Sequence, residues 1–183
     1  MDPKNRDIIK LLNGCKKHKR DAQKALYLHF YSFCLGICMR YAKSKEDAVE
    51  IMNDGFMNVF TYIDKFDLDK PFEPWLRKVM INSAIDHFKK NNKIQQLESL
   101  EEGMRVPVEE EMLDSVSYDD LIGMIRKLPP AYGTVFNMKA IEGYKHEEVA
   151  EILGISVGAS KSNYAKARAK LQEYLAIYFG VKQ

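Results

Sequence analysis

Residues 145–170 read KHEEVAEILGISVGASKSNYAKARAK, and this stretch decides the fold of the C-terminal part of the chain. Val149, Ile152 and Leu153 recur at helical spacing, which predicts a short amphipathic helix. Gly154 follows as a C-terminal cap, where a positive φ is usual, and Ser156 is placed to cap the next helix. Two helices joined by so short a turn make a helix-turn-helix. Ala150 is small enough for close packing between them, and Val149 and Ile155 fill the wedge. The second helix carries Lys161, Lys166, Arg168 and Lys170, with no acid between Glu151 and Glu173. A helix lying in a major groove needs donors for phosphates and base edges and no carboxylates to repel them. Ser156, Gly158, Ser160 and Lys161 lie at the N-terminal end that meets the bases, followed by Ser162, Asn163, Lys166 and Arg168. The bland reading, a solvated basic face on a helical hairpin, is weaker given the glycine turn, the serine cap and the apolar wedge.

Working outward, apolar spacing stays helical almost everywhere. Leu121, Ile125 and Leu128 mark a helix that Pro129-Pro130 ends; Val135, Phe136 and Met138 lie on the next, and Tyr164, Leu171 and Leu175 on the last. Periodicity is lost from Asn91 to Ser117, a stretch with Gly103, Pro107 and the run Glu109-Glu110-Glu111. It reads as an extended linker, with a short acidic helix over 108–114 as the alternative. Upstream, Phe30, Cys34, Ile37 and Tyr41 form one helical series; Ala48, Met52, Phe56, Val59, Phe60 and Ile63 a second; and Phe72, Trp75, Leu76, Val79 and Phe88 a third. The first of these helices follows the basic group Lys16, Lys17, Lys19 and Arg20. Period-two patterns are missing, and proline is absent from 4–70 and from 131 onward, as helices require. The expected fold is all-α: two small helical domains, residues 1–92 and 118–183, joined by an acidic linker at 93–117, the C-terminal domain being the helix-turn-helix.

The 183 residues are 46% hydrophobic and 30% charged, an ordinary globular composition. No apolar run approaches the roughly 18–20 residues of a membrane span. The N-terminus lacks the apolar stretch of a signal peptide, so a cytoplasmic location is expected. Three cysteines argue against a disulfide framework. A net charge of +2 conceals strong segregation. Residues 1–96 hold 18 Lys/Arg and 12 Asp/Glu, residues 97–120 one Arg and nine acids, and residues 121–183 nine Lys/Arg and five acids. Two basic modules flanking an acidic bridge suggest two contacts with a polyanion.

In the first module, Arg77, Lys78, Lys89, Lys90 and Lys93 are interleaved with Phe66, Phe72, Trp75 and Phe88. Single-stranded nucleic acid is held by that combination, with phosphates on cations and unstacked bases on rings. Trp75 fits a core stripe. Phe66 sits in a polar loop without a helical partner, which makes it the better candidate for a functional ring. Asn82 is either exposed and idle or placed to hydrogen-bond a base. Helix 46–60 carries Glu46, Asp47, Glu50 and Asp54 on its polar side, which in a basic module suggests a protein partner; a merely solvated face fits the spacing as well.

Here the residues resemble a known family. ALYLHFYSFCLGICMRYAKSKEDAVEIMNDGFMNVF (25–60) is followed by Phe72, Trp75, Leu76, Val79, Asn82, Asp86, Lys89 and Lys90 at the spacing of an FxxWLxxVxxNxxxDxxKK pattern. LIGMIRKLPPAYGTVFNMKAIEGYKHEEVAEILGISVGASKSNYAKARAKL (121–171) comes after the linker. In this order and spacing the segments are similar to bacterial RNA polymerase sigma factors of the extracytoplasmic-function (ECF) type, over about residues 21–92 and 118–176. The resemblance implies a transcription initiation factor that binds core RNA polymerase and directs promoter recognition and melting. Asp47, Glu50, Met52, Asn53, Asp54 and Phe56 would then dock on the polymerase largest subunit. The loop Phe66–Phe72, with Asn82 and the cations Arg77, Lys78, Lys89 and Lys90, would take the minus-ten element and trap a base of the melted non-template strand. The helix-turn-helix, through Ser156, Gly158, Ser160, Lys161, Ser162, Asn163, Lys166 and Arg168, would read the minus-thirty-five element in double-stranded promoter DNA. The acidic linker would thread toward the polymerase active-site and RNA-exit channel. An anti-sigma factor is a further partner such proteins often have, and no membrane insertion of the chain itself is implied. The sequence departs from the family at Gly133, where Arg is common, at Lys145, where Ser or Thr caps the helix, and at Ala159-Ser160.

No catalytic constellation, nucleotide loop or cofactor motif is present in the sequence. Cys34 and Cys38 lie one turn apart on one apolar face, and with His29 they are candidate zinc ligands, but the further ligands a site needs are not evident; buried thiols are the simpler reading. Two rival functions stay open on sequence: a stand-alone helix-turn-helix regulator, and an adaptor that sequesters a helical protein through residues 20–90.

Overall fold

The computed structural model describes residues 3–91 and 117–180, and over these every regular element is helical. The chain divides into two compact units, Met1–Asp86 and His87–Gln183. The acidic stretch, with Lys93 and the alternative helix at 108–114, lies outside the described residues.

The first unit is built from α1 (Pro3–Lys16), α2 (Arg20–Met39), α3 (Lys45–Tyr62), a 3-10 turn (Ile63–Lys65) and α4 (Phe72–Asn91) up to Asp86. On α2, Leu26, Phe30, Cys34, Ile37 and Cys38 are buried, the i, i+4, i+8 stripe of a core-facing helix. Ser44 caps α3, its hydroxyl accepting the Asp47 N–H at 3.0 Å, and Glu46 and Asp47 favour the positive end of the helix dipole. Ala48, Ile51, Met52, Phe56 and Val59 make the buried side of α3. Gly55 lies against the Met80 thioether, so α3 and α4 approach closely there. Pro74 falls in the first turn of α4, where backbone N–H groups have no intrahelical partner.

Helix α1 is an addition to what spacing alone predicts, which begins the first helix after Arg20. Leu12 and Cys15 are fully buried, yet Asn13-Gly14 looks like a helix stop in a stretch rich in polar residues. Gly14 has a packing role instead: a Cβ there would overlap the Cβ of Ala22 on α2. The turn out of α1 is a Schellman motif. The Lys19 N–H reaches the Gly14 carbonyl at 3.1 Å, the His18 N–H reaches Cys15 at 2.8 Å, and His18 takes φ +52°.

The second unit holds α5 (Tyr118–Arg126), α6 (Pro130–Phe136), which runs into a π-turn (Asn137–Ile141), α7 (His146–Leu153) and α8 (Val157–Tyr178). Ser117 caps α5 through the Asp120 N–H, and Pro130 opens α6. Its core contains Ile125, Val135, Met138, Val149, Leu153 and Ala167. Gly154 takes φ +70° after α7, and the Ser156 hydroxyl accepts the Ala159 N–H at 3.0 Å at the start of α8; both agree with the sequence. Lys145 offers no acceptor at the start of α7. The Glu148 carboxylate instead accepts the Lys145 N–H at 2.7 Å, half of a capping box.

Candidate nucleic-acid and protein interfaces

Helix α8 packs against α6 and α7 along a face made of small and polar residues. Ser160 and Asn163, at 0% and 2% exposure, point into the unit with Ala167. The Ser160 hydroxyl lies 2.9 Å from Nδ1 of His146 on α7. The His146 ring meets Tyr164 edge-on, and Tyr164 stacks with Phe136. Partial burial, together with Lys139 and Lys161, holds the His146 imidazole below its ordinary pKa, against the opposing pull of Glu147.

This packing corrects three residues expected on the DNA side. Ser160 and Asn163 are occupied in the helix–helix contact. Lys166 is 8% exposed, with its ammonium 5.8 Å from the centre of the Tyr132 ring, a cation–π distance. The outward face is instead Gly158, Lys161, Ala165 and Arg168, all exposed, with Ser162 at its edge. These follow one another at i+3, i+4 and i+3, one stripe of a helix. Spacing from Lys161 and Arg168 would have found Ala165. The Arg168 guanidinium lies 6.0 Å above Tyr164. Ser156 is exposed, but its hydroxyl is engaged in the helix cap.

On α3 the outward stripe is Glu46, Glu50, Asn53, Asp54, Met57 and Thr61, with Asp47 half-buried beside the Ser44 cap. Asn53 accepts the Tyr27 hydroxyl from α2 at 3.1 Å. Met52 and Phe56, expected here as partner contacts, are 0% and 2% exposed; Phe56 packs on Tyr27 with centroids 4.7 Å apart. They belong to the core stripe that their own spacing describes. Met57, two-thirds exposed, is the apolar group that this acidic face presents.

Between the 3-10 turn and α4, Phe66 and Phe72 face inward. Phe66 meets Phe72 edge-on at 5.4 Å and Trp75 at 5.1 Å, while Phe72 reaches Phe30 at 5.3 Å. Phe66 is therefore not a free ring in a polar loop: it is buried and anchors that loop. Trp75, expected in the core, is only half-buried. The exposed part of the loop is Asp67, Asp69, Lys70 and Pro71. Asp67 closes it, its carboxylate accepting the Asp69 N–H and its carbonyl the Lys70 N–H, both at 3.1 Å. Along α4, Lys78, Asn82 and Lys89 are exposed on one face, with Lys90 beside them and Arg77 half-buried.

Cys15, Cys34 and Cys38 are buried. Burial, with Cys38 adding to it, pushes the Cys34 thiol up to about 12, and burial pushes Cys38 to about 12 despite Arg40. Among the described residues no cluster of three metal-ligating side chains occurs, so His29 does not complete a site with these cysteines.

Two segments of the chain match known protein families. The family model for sigma-70 region 2 matches residues 26–94, and that for sigma-70 region 4 matches residues 118–171. The RNA polymerase sigma factor NccH of Alcaligenes xylosoxydans xylosoxydans is 30% identical over 140 residues, 72% of this chain and 74% of that protein. ECF RNA polymerase sigma factor SigW of Bacillus subtilis is 26% identical over 180 residues, 92% of this chain and 96% of SigW. The chain belongs to the ECF sigma factors of bacterial RNA polymerase. In fold, this sigma factor is similar to RpoE from Bartonella quintana, solved in complex with the anti-sigma factor NepR, with a TM-score of 0.50 and 20% identity over 87% of this chain and 98% of RpoE. The sigma factor is a transcription initiation factor whose partners are core RNA polymerase and promoter DNA. No helix among its described residues is long and apolar enough to cross a membrane.

Proposed function

We propose that this sigma factor divides its work between three surfaces, within domains at 1–92 and 118–183 and a linker at 93–117. The outer face of α3, through Asp47, Glu50, Asn53 and Asp54, docks on core polymerase. The loop 66–72 with Arg77, Lys78, Asn82, Lys89 and Lys90 takes the minus-ten element and holds an unstacked base of the melted non-template strand; Phe66 and Phe72 shape that surface from beneath. Gly158, Lys161, Ser162 and Arg168, with the backbone N–H groups that follow Ser156, read the minus-thirty-five element in duplex DNA. The observation that carries this reading is the opposite sign of the exposed faces. α3 presents Glu46, Glu50 and Asp54, whereas the leading half of α8 presents Lys161 and Arg168 without an acid. A polyanion accepts the second face and repels the first.

On this reading the protein works in the cytoplasm, catalyses no reaction of its own and needs no cofactor. An anti-sigma factor is a further partner, as NepR is for RpoE. Trapping a base costs a few kcal/mol of lost stacking, which Asn82 and the cations around it offset. Asn82→Ala is therefore expected to lower open-complex formation by the holoenzyme roughly tenfold, the loss of one or two good hydrogen bonds, and to leave closed-complex binding unchanged. Permanganate reactivity of promoter thymines measures the first, and filter binding at low temperature the second. Equal losses in both would contradict base capture at this site.

A further inference from the structure

We propose that Lys16, the last residue of α1, is a positioning residue for the minus-ten loop, holding its entry in register from outside the segment matched by the region 2 family model. Its ammonium donates to the Phe66 carbonyl at 2.6 Å and to the Asp64 carbonyl at 3.3 Å. Those two carbonyls flank the end of the 3-10 turn, where Phe66 leaves helical backbone with φ −73° and ψ 128°. Beside them, His18 Nε2 lies 4.0 Å from the Asp64 carboxylate. The Gly14–Ala22 contact and the Schellman turn set where α1 ends, and hence where the ammonium sits.

Two further holds on the loop come from within it. Asp67 caps the loop from within, and the Phe66–Phe72 pair closes its base. Because both rings are buried, the surface left to meet a base is the stretch 67–71, with Asp67, Asp69, Lys70 and Pro71 exposed, and its course is set by the direction in which the chain leaves Phe66. A charge-assisted hydrogen bond is stronger than a neutral one, and Lys16 makes two at that point. Its ammonium is spent on backbone carbonyls, so it acts through the loop and contributes no phosphate contact. Lys17 and Lys19, exposed on the same turn, remain in solvent.

This inference rests on the minus-ten assignment of the loop and α4, and the experiment separates the two. Holoenzyme is assembled with wild-type protein and with the Lys16→Met, Lys16→Arg and Asn82→Ala variants. Each is titrated with a fluorescent single-stranded oligonucleotide carrying the non-template minus-ten sequence of a promoter mapped with the wild-type holoenzyme, and with a scrambled version. The ratio of the two affinities does not move when part of the protein merely unfolds. Lys16→Met is expected to lower the ratio roughly tenfold, with core affinity and the salt slope of binding unchanged, and Lys16→Arg to restore most of it. A wild-type ratio in Lys16→Met, beside a lowered ratio in Asn82→Ala, overturns the role of Lys16 alone. Wild-type ratios in both variants overturn the minus-ten assignment and this inference with it. A salt slope lower by about one in Lys16→Met would make Lys16 a phosphate contact and refute positioning.

Discussion

Asp54→Arg is expected to abolish holoenzyme assembly, with a loss of core affinity of about a hundredfold or more, while the isolated protein keeps its helical content and melting temperature. Asp54 stands on the outer stripe of α3 between Glu50 and Met57, exposed, while the opposite side of the helix is fixed by Ile51, Met52, Phe56 and Val59 in the core. Arginine is a good helix former, so the substitution costs the fold little. In the complex it replaces an attractive charge at the centre of the docking face with a like charge facing whatever cation Asp54 meets. Juxtaposed like charges cost several kcal/mol, and central contacts dominate interface energies. Gel filtration of the variant with core polymerase measures assembly. Normal assembly would remove α3 from the polymerase contact. Asp54→Asn, which removes the charge without inverting it, is expected to give a smaller loss.

The second large effect concerns the recognition helix. Lys161→Gln with Arg168→Gln is expected to lower the salt slope of promoter binding by about two, since each neutralised phosphate contact contributes about 0.9. Both residues are exposed and lie on one stripe of α8. Lys166→Gln is the internal comparison. Lys166 is buried against Tyr132, so its replacement should leave the slope unchanged and act on the stability of the second unit. Affinities measured from 50 to 300 mM salt, beside thermal melts of the same variants, distinguish the outcomes. A slope that falls by about one for Lys166→Gln, or that stays fixed for the double variant, would mean that α8 presents a different face to DNA.

Most of the architecture was legible because the chain writes it in apolar spacing. The caps at Ser156 and Gly154 and the break at Pro129-Pro130 could be read directly, since each residue type has a local backbone reason to be there. Failures occurred where the spacing signal was weak or was overruled. The leading half of α8 buries Ser160, Asn163, Lys166 and Ala167, too polar or too small to mark a core by hydropathy. Its phase was therefore invisible, and the basic residues could not be sorted into inward and outward. Met52 and Phe56 erred in the opposite way: their own i, i+4 spacing placed them in the core, and family resemblance alone put them on the partner face. The neighbours of Phe66 in sequence are polar, whereas its packing partners are Phe72 and Trp75 across the loop. Helix α1 lies outside the helical series that the apolar spacing marks, and Gly14 within it is explained by the approach of Ala22 on the next helix.

Binding to core polymerase is the property on which the roles of all three surfaces depend. The most direct measurement is gel filtration of the wild-type protein with bacterial core RNA polymerase, with the protein run alone beside it. Co-elution at one-to-one stoichiometry, in a complex that starts transcription at defined sites, is the predicted result. Separate elution, with the protein alone running as a dimer that binds palindromic DNA, would contradict it and would take the assigned role away from the acidic face of α3.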